Sequence, residues 1–339
     1  MTTRPTVSAV VPAYNAQGTL VAALAALQAS LRPGDELILF DDGSTDATGT
    51  IAARAGGRIL RNHRTPLGPA HGRNKGAAVA TGELLFFVDA DVVIAPTALD
   101  LLIRALIDGD AAAAFGSYDD RPPSRRLSSL YMNLRHHFMH QGGSRNASTF
   151  WAGIGLVRRE VFEAMEGFDA RLFATSSIED VEFGMRLVAA GHRVLLVPEA
   201  QGTHLKAWTL GQVWRTDIFR RAVPWSRLIA DGQVVGADLN VAPGERRNAV
   251  LAMALVPAAV LPFFWLPLAL APAAVAAGYV IGNRDFFGFL ARRLPWRALP
   301  GAAAMHWCYH VYASATFAVV TASRRVSQSL PGASAPRRR

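Results

Sequence analysis

The sequence predicts an α/β fold: a mostly parallel sheet domain followed by a C-terminal α-helical transmembrane region. Three observations carry that expectation. Val7 to Val11, Glu36 to Phe40 and Leu84 to Val88 are short apolar runs without polar alternation, as expected of strands covered on both faces. Segments of helical spacing separate them, which is the arithmetic of βαβ units with right-handed crossovers. Downstream, Ala249 to Ile281 is an apolar run far beyond any soluble core helix, and Leu299 to Ala322 is long enough to cross a hydrocarbon core of about 30 Å.

Taken in order, Leu20, Leu24, Leu27 and Leu31 recur at helical spacing and Gly34 closes that segment. Ser44 or Thr45 can cap a helix running through Ala55, and Ala70 to Thr81 predicts another. Ser117 to Ser129 is rich in Pro and Arg and reads as a loop. Arg158 to Met165 and Ile178 to Ala190 read as helices, the second supported by Glu182 and Arg186 four residues apart in the favourable order. Val194 to Val197 reads as a late strand. The first apolar run, punctuated by Pro257, Pro262, Pro267 and Pro272, is either one tilted span or a hairpin turning near Pro262 to Pro267. The hairpin is preferred because it puts the basic segment after it on the cytoplasmic side. That segment, 284–297, carries Phe286, Phe287, Phe289, Leu290 and Trp296 among arginines and suits a helix lying at the interface. The expected division is a sheet domain over 1–210, an interfacial helical segment over 211–247, transmembrane helices over 248–323 and a disordered basic tail over 324–339.

Composition narrows the partners. Of the 339 residues, 35 are Lys or Arg against 26 Asp or Glu, a net charge of +9. The excess arginine gathers around the apolar segments, which points to anionic lipid headgroups. Basic residues are not interleaved with aromatics as base stacking requires, so nucleic acid is not an expected partner. The single cysteine, Cys308, excludes a disulfide framework or a thiolate metal site within one chain. Only Arg4 precedes the short apolar run near the N-terminus, too little for a signal-peptide core, so the sheet domain is expected on the cytoplasmic side of the inner (plasma) membrane.

The chemistry concentrates where strands end. Asp89-Ala90-Asp91 follows the Leu84 to Val88 run and places two carboxylates at the mouth of the sheet, where a divalent cation and nucleotide phosphates can meet. Asp91 is the candidate for direct Mg²⁺ or Mn²⁺ ligation, with Asp89 aiding the metal or a ribose hydroxyl. His204, after the last strand, either completes the metal shell, touches phosphate or is simply packed. Asp42, just after the second strand, can accept a hydrogen bond from a base N–H; alternatively Asp41 and Asp42 only cap a turn, as Asp46 is expected to do. Arg73, near the start of a helix, can grip a diphosphate or a base edge with two parallel bonds, whereas Lys75 belongs to a solvated face.

Five elements in order, Val10-Val11-Pro12-Ala13-Tyr14-Asn15, Asp41-Asp42-Gly43-Ser44-Thr45-Asp46, Arg73-Asn74-Lys75-Gly76, Asp89-Ala90-Asp91 and Ile178-Glu179-Asp180-Val181-Glu182-Phe183, resemble the family-2 glycosyltransferases. The resemblance covers about Thr6 to His204. It implies the GT-A (Rossmann-like) fold and a nucleotide-sugar donor, with a UDP-sugar favoured. Its base would meet the turn of Pro12, Ala13, Tyr14 and Asn15 and pair with Asp42. It makes Asp180 the general base, with Glu179 beside it in the catalytic motif, although carboxylates at that helix start also favour its dipole. Trp151-Ala152-Gly153 corresponds to the segment bordering the sugar, where Gly153 allows close backbone approach. Trp151, Arg215, Arg221 and Trp225 are the acceptor-side candidates, and an interfacial belt explains the tryptophan and arginine residues as well. Gln212-Val213-Trp214-Arg215-Thr216 matches the Gln and Arg of the Gln-x-x-Arg-Trp element of processive members but lacks its final Trp, which disfavours polysaccharide synthesis.

The expected activity is metal-dependent, inverting transfer of one hexose-type sugar to a hydroxyl of a lipid-associated acceptor, a glycolipid or lipid-linked saccharide. The alternative within the class is a polyprenyl-phosphate glycosyltransferase, whose acceptor needs no base. An alternative of another class is a catalytically inactive nucleotide-sugar-binding membrane protein. A nucleotidyltransferase is disfavoured because Pro12 to Gly18 holds no basic residue.

Overall fold

The computed structural model describes residues 4–233, 243–264, 268 and 270–329. The chain divides into two compact units, Met1–Trp208 and Thr209–Arg339.

The first unit is built on one eight-stranded sheet: β1 (Val7–Ala13), β2 (Glu36–Asp41), β3 (Arg58–Arg61), β4 (Leu84–Val88), β5 (Val92–Ile94), β6 (Ala113–Tyr118), β7 (Ile154–Arg158) and β8 (Val194–His204), in the order β3-β2-β1-β4-β7-β6-β8-β5. The three apolar runs read from the sequence are β1, β2 and β4, and with β3 they form a parallel half. The other half corrects the expectation of simple βαβ repetition. β7 runs antiparallel to both β4 and β6, β8 is parallel to β6, and β5 is antiparallel to β8. The sheet is therefore mixed. β5 has three residues and β7 five, too few for a period to stand out.

Both faces of the sheet are covered. Val7, Ala9 and Val11 of β1 point with Phe86 and Val88 into the layer of α1 (Leu20–Ser30) and α4 (Ala98–Asp108). Val10 points the other way, with Leu85 and Phe87, to α6 (Arg159–Ala164) and α7 (Glu179–Ala189), and α3 (Pro69–Ala77) shares that side. Strand alternation thus feeds two cores at once. α2 (Thr48–Arg54) is shorter than predicted: it is entered through Asp46, whose Oδ1 accepts from Thr48 N at 2.9 Å, rather than capped by Ser44 or Thr45. The predicted loop Ser117 to Ser129 is occupied at both ends, by the close of β6 and by the start of α5 (Leu127–Gln141).

The second unit is helical. α8 (Leu210–Arg215) begins with a capping box in which Thr209 and Gln212 satisfy each other's backbone N–H. A π-helical turn, Thr216–Ala222, leads into α9 (Val223–Ala230). α10 (Pro243–Ala258) and α11 (Leu270–Gly282) then pack against each other antiparallel: Gly282 lies against Asn248 and Gly278 against Leu251. This is the hairpin arrangement. α12 (Arg284–Arg293) and α13 (Leu299–Ser329) complete the unit. Among the described residues one helix, Pro243–Phe263, is long and apolar enough to cross a membrane. α13 has the length, but His306, Trp307, Tyr309, His310 and Tyr312 interrupt its apolar run, so the second predicted span does not meet that test. Residues 234–242 of the interfacial segment, Pro267 of the expected turn and residues 330–339 of the tail lie outside the described residues.

Candidate active site

The turns after β1 and β2 are stitched together before any ligand is considered. Asn15 takes a positive φ of 48° and its Oδ1 accepts from Thr45 N at 2.9 Å, while Asn15 N donates to Ser44 Oγ at 3.0 Å. Tyr14 is left half-exposed on this rim beside Pro12 and the buried Ala13. Asp41 is buried and accepts from Ser44 N at 3.0 Å, so it is a turn residue. Asp42, also buried, accepts from Leu67 N and Gly68 N at 2.9 and 2.8 Å and from Asn62 Nδ2 at 2.9 Å. Both its oxygens thus organise the loop that enters α3.

Three of the predicted carboxylates gather around the guanidinium of a fourth predicted residue. Arg73, 4% exposed on the inner side of α3, donates from Nη2 to Asp89 at 2.6 Å and from Nη1 to Glu179 at 2.9 Å. Its Nε has no hydrogen-bond partner among the described residues. Glu179 is held from the other side by Ser177 N at 2.9 Å. Asp180, the next residue, accepts from Ala152 N at 3.0 Å and from Val181 N at 2.8 Å. The motifs after β4 and at the start of α7, ninety residues apart in sequence, are thus joined through one arginine.

The electrostatics follow from the crowding. Burial raises Asp180 to about 7, the neighbouring Glu179 carboxylate adds to the rise, and Arg73 opposes it. Burial likewise raises Asp89, against the pull of Arg73 and with a push from Asp91. Burial would raise Asp91 too, but its hydrogen bond and charge interaction with His204, aided by Lys206, hold it below the usual carboxylate range.

Asp91 and His204 come together because β5 and β8 are antiparallel with Val92 opposite His204. His204 Nε2 lies 3.4 Å from Asp91 Oδ2. Adjacent ligands on one divalent ion, each bonded at about 2.1 Å, sit roughly 3 Å apart. Carboxylate oxygens suit Mg²⁺ or Mn²⁺, and the added imidazole nitrogen favours the transition metal Mn²⁺ of the two, so the donor set fits. Among the described residues no group of three or more His, Cys, Asp or Glu is arranged as a metal cage.

Gly153 has a use beyond backbone approach: a Cβ there would overlap the indole of its own neighbour Trp151, so the glycine lets that ring lie back over the strand. Trp151 packs edge-on to Tyr118 at 4.8 Å and against His136 at 4.6 Å. The remaining acceptor-side candidates belong to the second unit. Arg215 is exposed, Trp225 is half-buried, and Arg221 pairs with buried Asp217 at 3.0 Å across the π-helical turn, with Tyr312 Oη donating to the same carboxylate at 2.6 Å. Sequence reasoning missed the polar face of α5. Asn133, His137 and His140, at i, i+4 and i+7, hydrogen-bond to His204, to the Tyr118 carbonyl and to the Gly116 carbonyl. Burial pushes His140 down to about 4, so it stands as a neutral ring. That spacing was visible, but a polar stripe on a helix ordinarily marks solvent.

A protein-family model described as glycosyl transferase family 2 matches residues 8–165. Glycosyltransferase GlyG of Streptococcus pneumoniae is 32% identical over 257 residues, spanning 69% of this chain and 83% of that one. The O-antigen chain rhamnosyltransferase WbaN of Salmonella anatum is 25% identical over 313 residues, 87% of this chain and 91% of its own. The chain spans about half the length of two further curated glycosyltransferases it matches, 48% and 55%. Among solved structures, mannosyltransferase PcManGT from Pyrobaculum calidifontis, in complex with GDP-Man and Mn²⁺, superposes with a TM-score of 0.55 at 19% identity, covering 97% of this chain and 89% of that one, a likeness of fold. The mixed GT-A sheet, the five motifs converging at its edge and a relative matched along most of its length place this chain in glycosyltransferase family 2.

Proposed function

We propose that the protein transfers one sugar, with inversion, from a nucleotide-sugar donor to a hydroxyl on a lipid-linked or glycolipid acceptor. The observation that carries this reading is the cluster in which Arg73 ties Asp89 to Glu179 while Asp180, beside them, is a carboxylate with a proton affinity suited to neutral pH. Asp180 takes the proton of the acceptor hydroxyl as that oxygen bonds to the anomeric carbon and the bond to the nucleoside diphosphate breaks. One base and no second nucleophile make this a single displacement. Its two backbone N–H bonds fix where the carboxylate points, while burial and the neighbouring Glu179 carboxylate keep its affinity for a proton high against the pull of Arg73. Asp91, Asp89 and His204 are the residues to hold Mg²⁺ or Mn²⁺, which when bound supplies Lewis-acid charge at the departing diphosphate. Donors of this kind are bound by PcManGT, whose nucleotide is GDP; a UDP-sugar remains our preference here, with Tyr14, Asn15 and Asp42 at the base end.

The acceptor reading is supported by the apolar Pro243–Phe263 helix, by the arginine-rich second unit and by the O-antigen role in the name of WbaN. Under it, the protein sits at the cytoplasmic face of the inner membrane, with Trp151, Arg215, Arg221 and Trp225 on the acceptor side. Incubating the detergent-purified chain with a panel of UDP-, GDP- and TDP-sugars and membrane lipid extract, with and without Mn²⁺, tests it. One donor should release nucleoside diphosphate only with lipid extract and Mn²⁺ together. Binding of a donor without any release would favour an inactive binding protein instead.

A further inference from the structure

The side chain behind His204 has a chemical task of its own. Asn133, on the inner face of α5 and 2% exposed, places its Oδ1 2.8 Å from His204 Nδ1. The ring is pinned in its plane as well: it stacks on Tyr118 with centroids 4.4 Å apart and planes within 6° of parallel. α5 is fastened to the end of β6 on the same face, through His137 to the Tyr118 carbonyl at 2.8 Å and His140 to the Gly116 carbonyl at 3.1 Å. Asn133 is therefore presented by a helix that has little freedom to retreat.

A neutral imidazole, the form that can ligate a metal ion, has one proton to place on two nitrogens, and the partner of one nitrogen decides what the other offers. If Asn133 accepts, Nδ1 carries the proton and Nε2 turns a lone pair towards Asp91. If the amide were reversed, Nδ1 would accept, Nε2 would carry the proton, and the ring would merely donate to Asp91 and be closed to a cation. We propose that Asn133 is a positioning residue that accepts from His204 Nδ1–H and thereby keeps His204 Nε2 open as a ligand for the divalent cation shared with Asp91. This deepens the metal-dependent reading above and rests on it.

The test uses the full chain in detergent and Mn²⁺ alone, titrated with the free ion followed by electron paramagnetic resonance, without donor or turnover. Asn133→Leu keeps the branched skeleton and removes the acceptor; affinity for Mn²⁺ should fall by about 10- to 100-fold, the usual cost of losing such a partner. Asn133→Asp can only accept, so it should hold Mn²⁺ within about threefold of the wild type. A purely structural role predicts the reverse order, because a buried carboxylate is costlier to fold around than a leucine. Equal affinities for all three proteins, or Asn133→Asp weaker than Asn133→Leu, would overturn the proposal. His204→Ala separates the two levels. If it binds Mn²⁺ as well as the wild type, the metal assignment of His204 fails. If it is weakened while Asn133→Leu is not, only the role of Asn133 fails.

Discussion

At the scale of single residues, the informative contrast is between carboxylates that hold turns and ion pairs in place and one whose proton affinity lies near neutral. Asp41, Asp42 and Glu179 each spend their oxygens on backbone N–H groups or on Arg73. Asp180 also accepts two N–H bonds, yet it stays near a proton affinity of 7 because burial and Glu179 outweigh them. A base works deprotonated, so turnover should rise with pH and level off above about 7. Asp180→Asn should lower kcat by about 10² to 10⁴ with donor affinity nearly unchanged in calorimetry. The same shift opposes stability. A folded-state value above the unfolded one favours folding only while the group is protonated, and that contribution is lost as pH rises through about 7. The Asn variant should therefore gain more thermal stability over the wild type at pH 8 than at pH 5, and least below about pH 4. A kcat within threefold of wild type would return the lipid-phosphate acceptor, which needs no base, to first place. The motif spacing pointed to these carboxylates but not to their division of labour, since a sequence does not say which oxygens the backbone occupies.

At the scale of elements, α7 owes its position to a residue with no side chain. A Cβ at Gly184 would overlap the backbone nitrogen of Phe150, and backbone cannot swing aside. Two residues on, Ala152 N holds Asp180. Gly184→Ala should thus cost about 3 kcal/mol, read as a fall in unfolding midpoint of roughly 2–4 °C per kcal/mol. It should also reduce turnover by moving the carboxylate's anchor. Gly211→Ala in α8 is the counterpart: nothing lies within 4 Å of the added methyl, so it should be neutral or stabilising by up to about 1 kcal/mol. Equal midpoints for both variants would refute the packing argument. Elements with long period or strong apolar runs, β1, β2, β4, α1 and α7, were legible from the sequence. β5, β7 and the polar face of α5 were not, because their logic is which strand lies beside them, and that is settled only when the sheet closes.

At the scale of the whole chain, a sheet unit rich in polar edge residues is followed by a helical unit whose apolar surface is largely uncovered. Phe263 and Phe264 are more than four-fifths exposed, and Phe219 is two-thirds exposed. Ending the chain before Asn248 removes all but the first turn of the Pro243–Phe263 helix, and the hairpin with it. The shortened protein should leave the membrane pellet and pass the sugar to water, releasing nucleoside diphosphate, more readily than to lipid acceptor. If it still sediments and glycosylates lipid as the full chain does, the C-terminal unit is not what recruits the acceptor. The pairing of β5 with β8 has a further consequence, for how such a chain can vary. Side chains along a strand alternate faces, so a slip of one residue would carry His204 to the far side of the sheet from Asp91. An insertion or deletion between Gly202 and His204 would make that slip, so there position along the chain is itself the inherited trait.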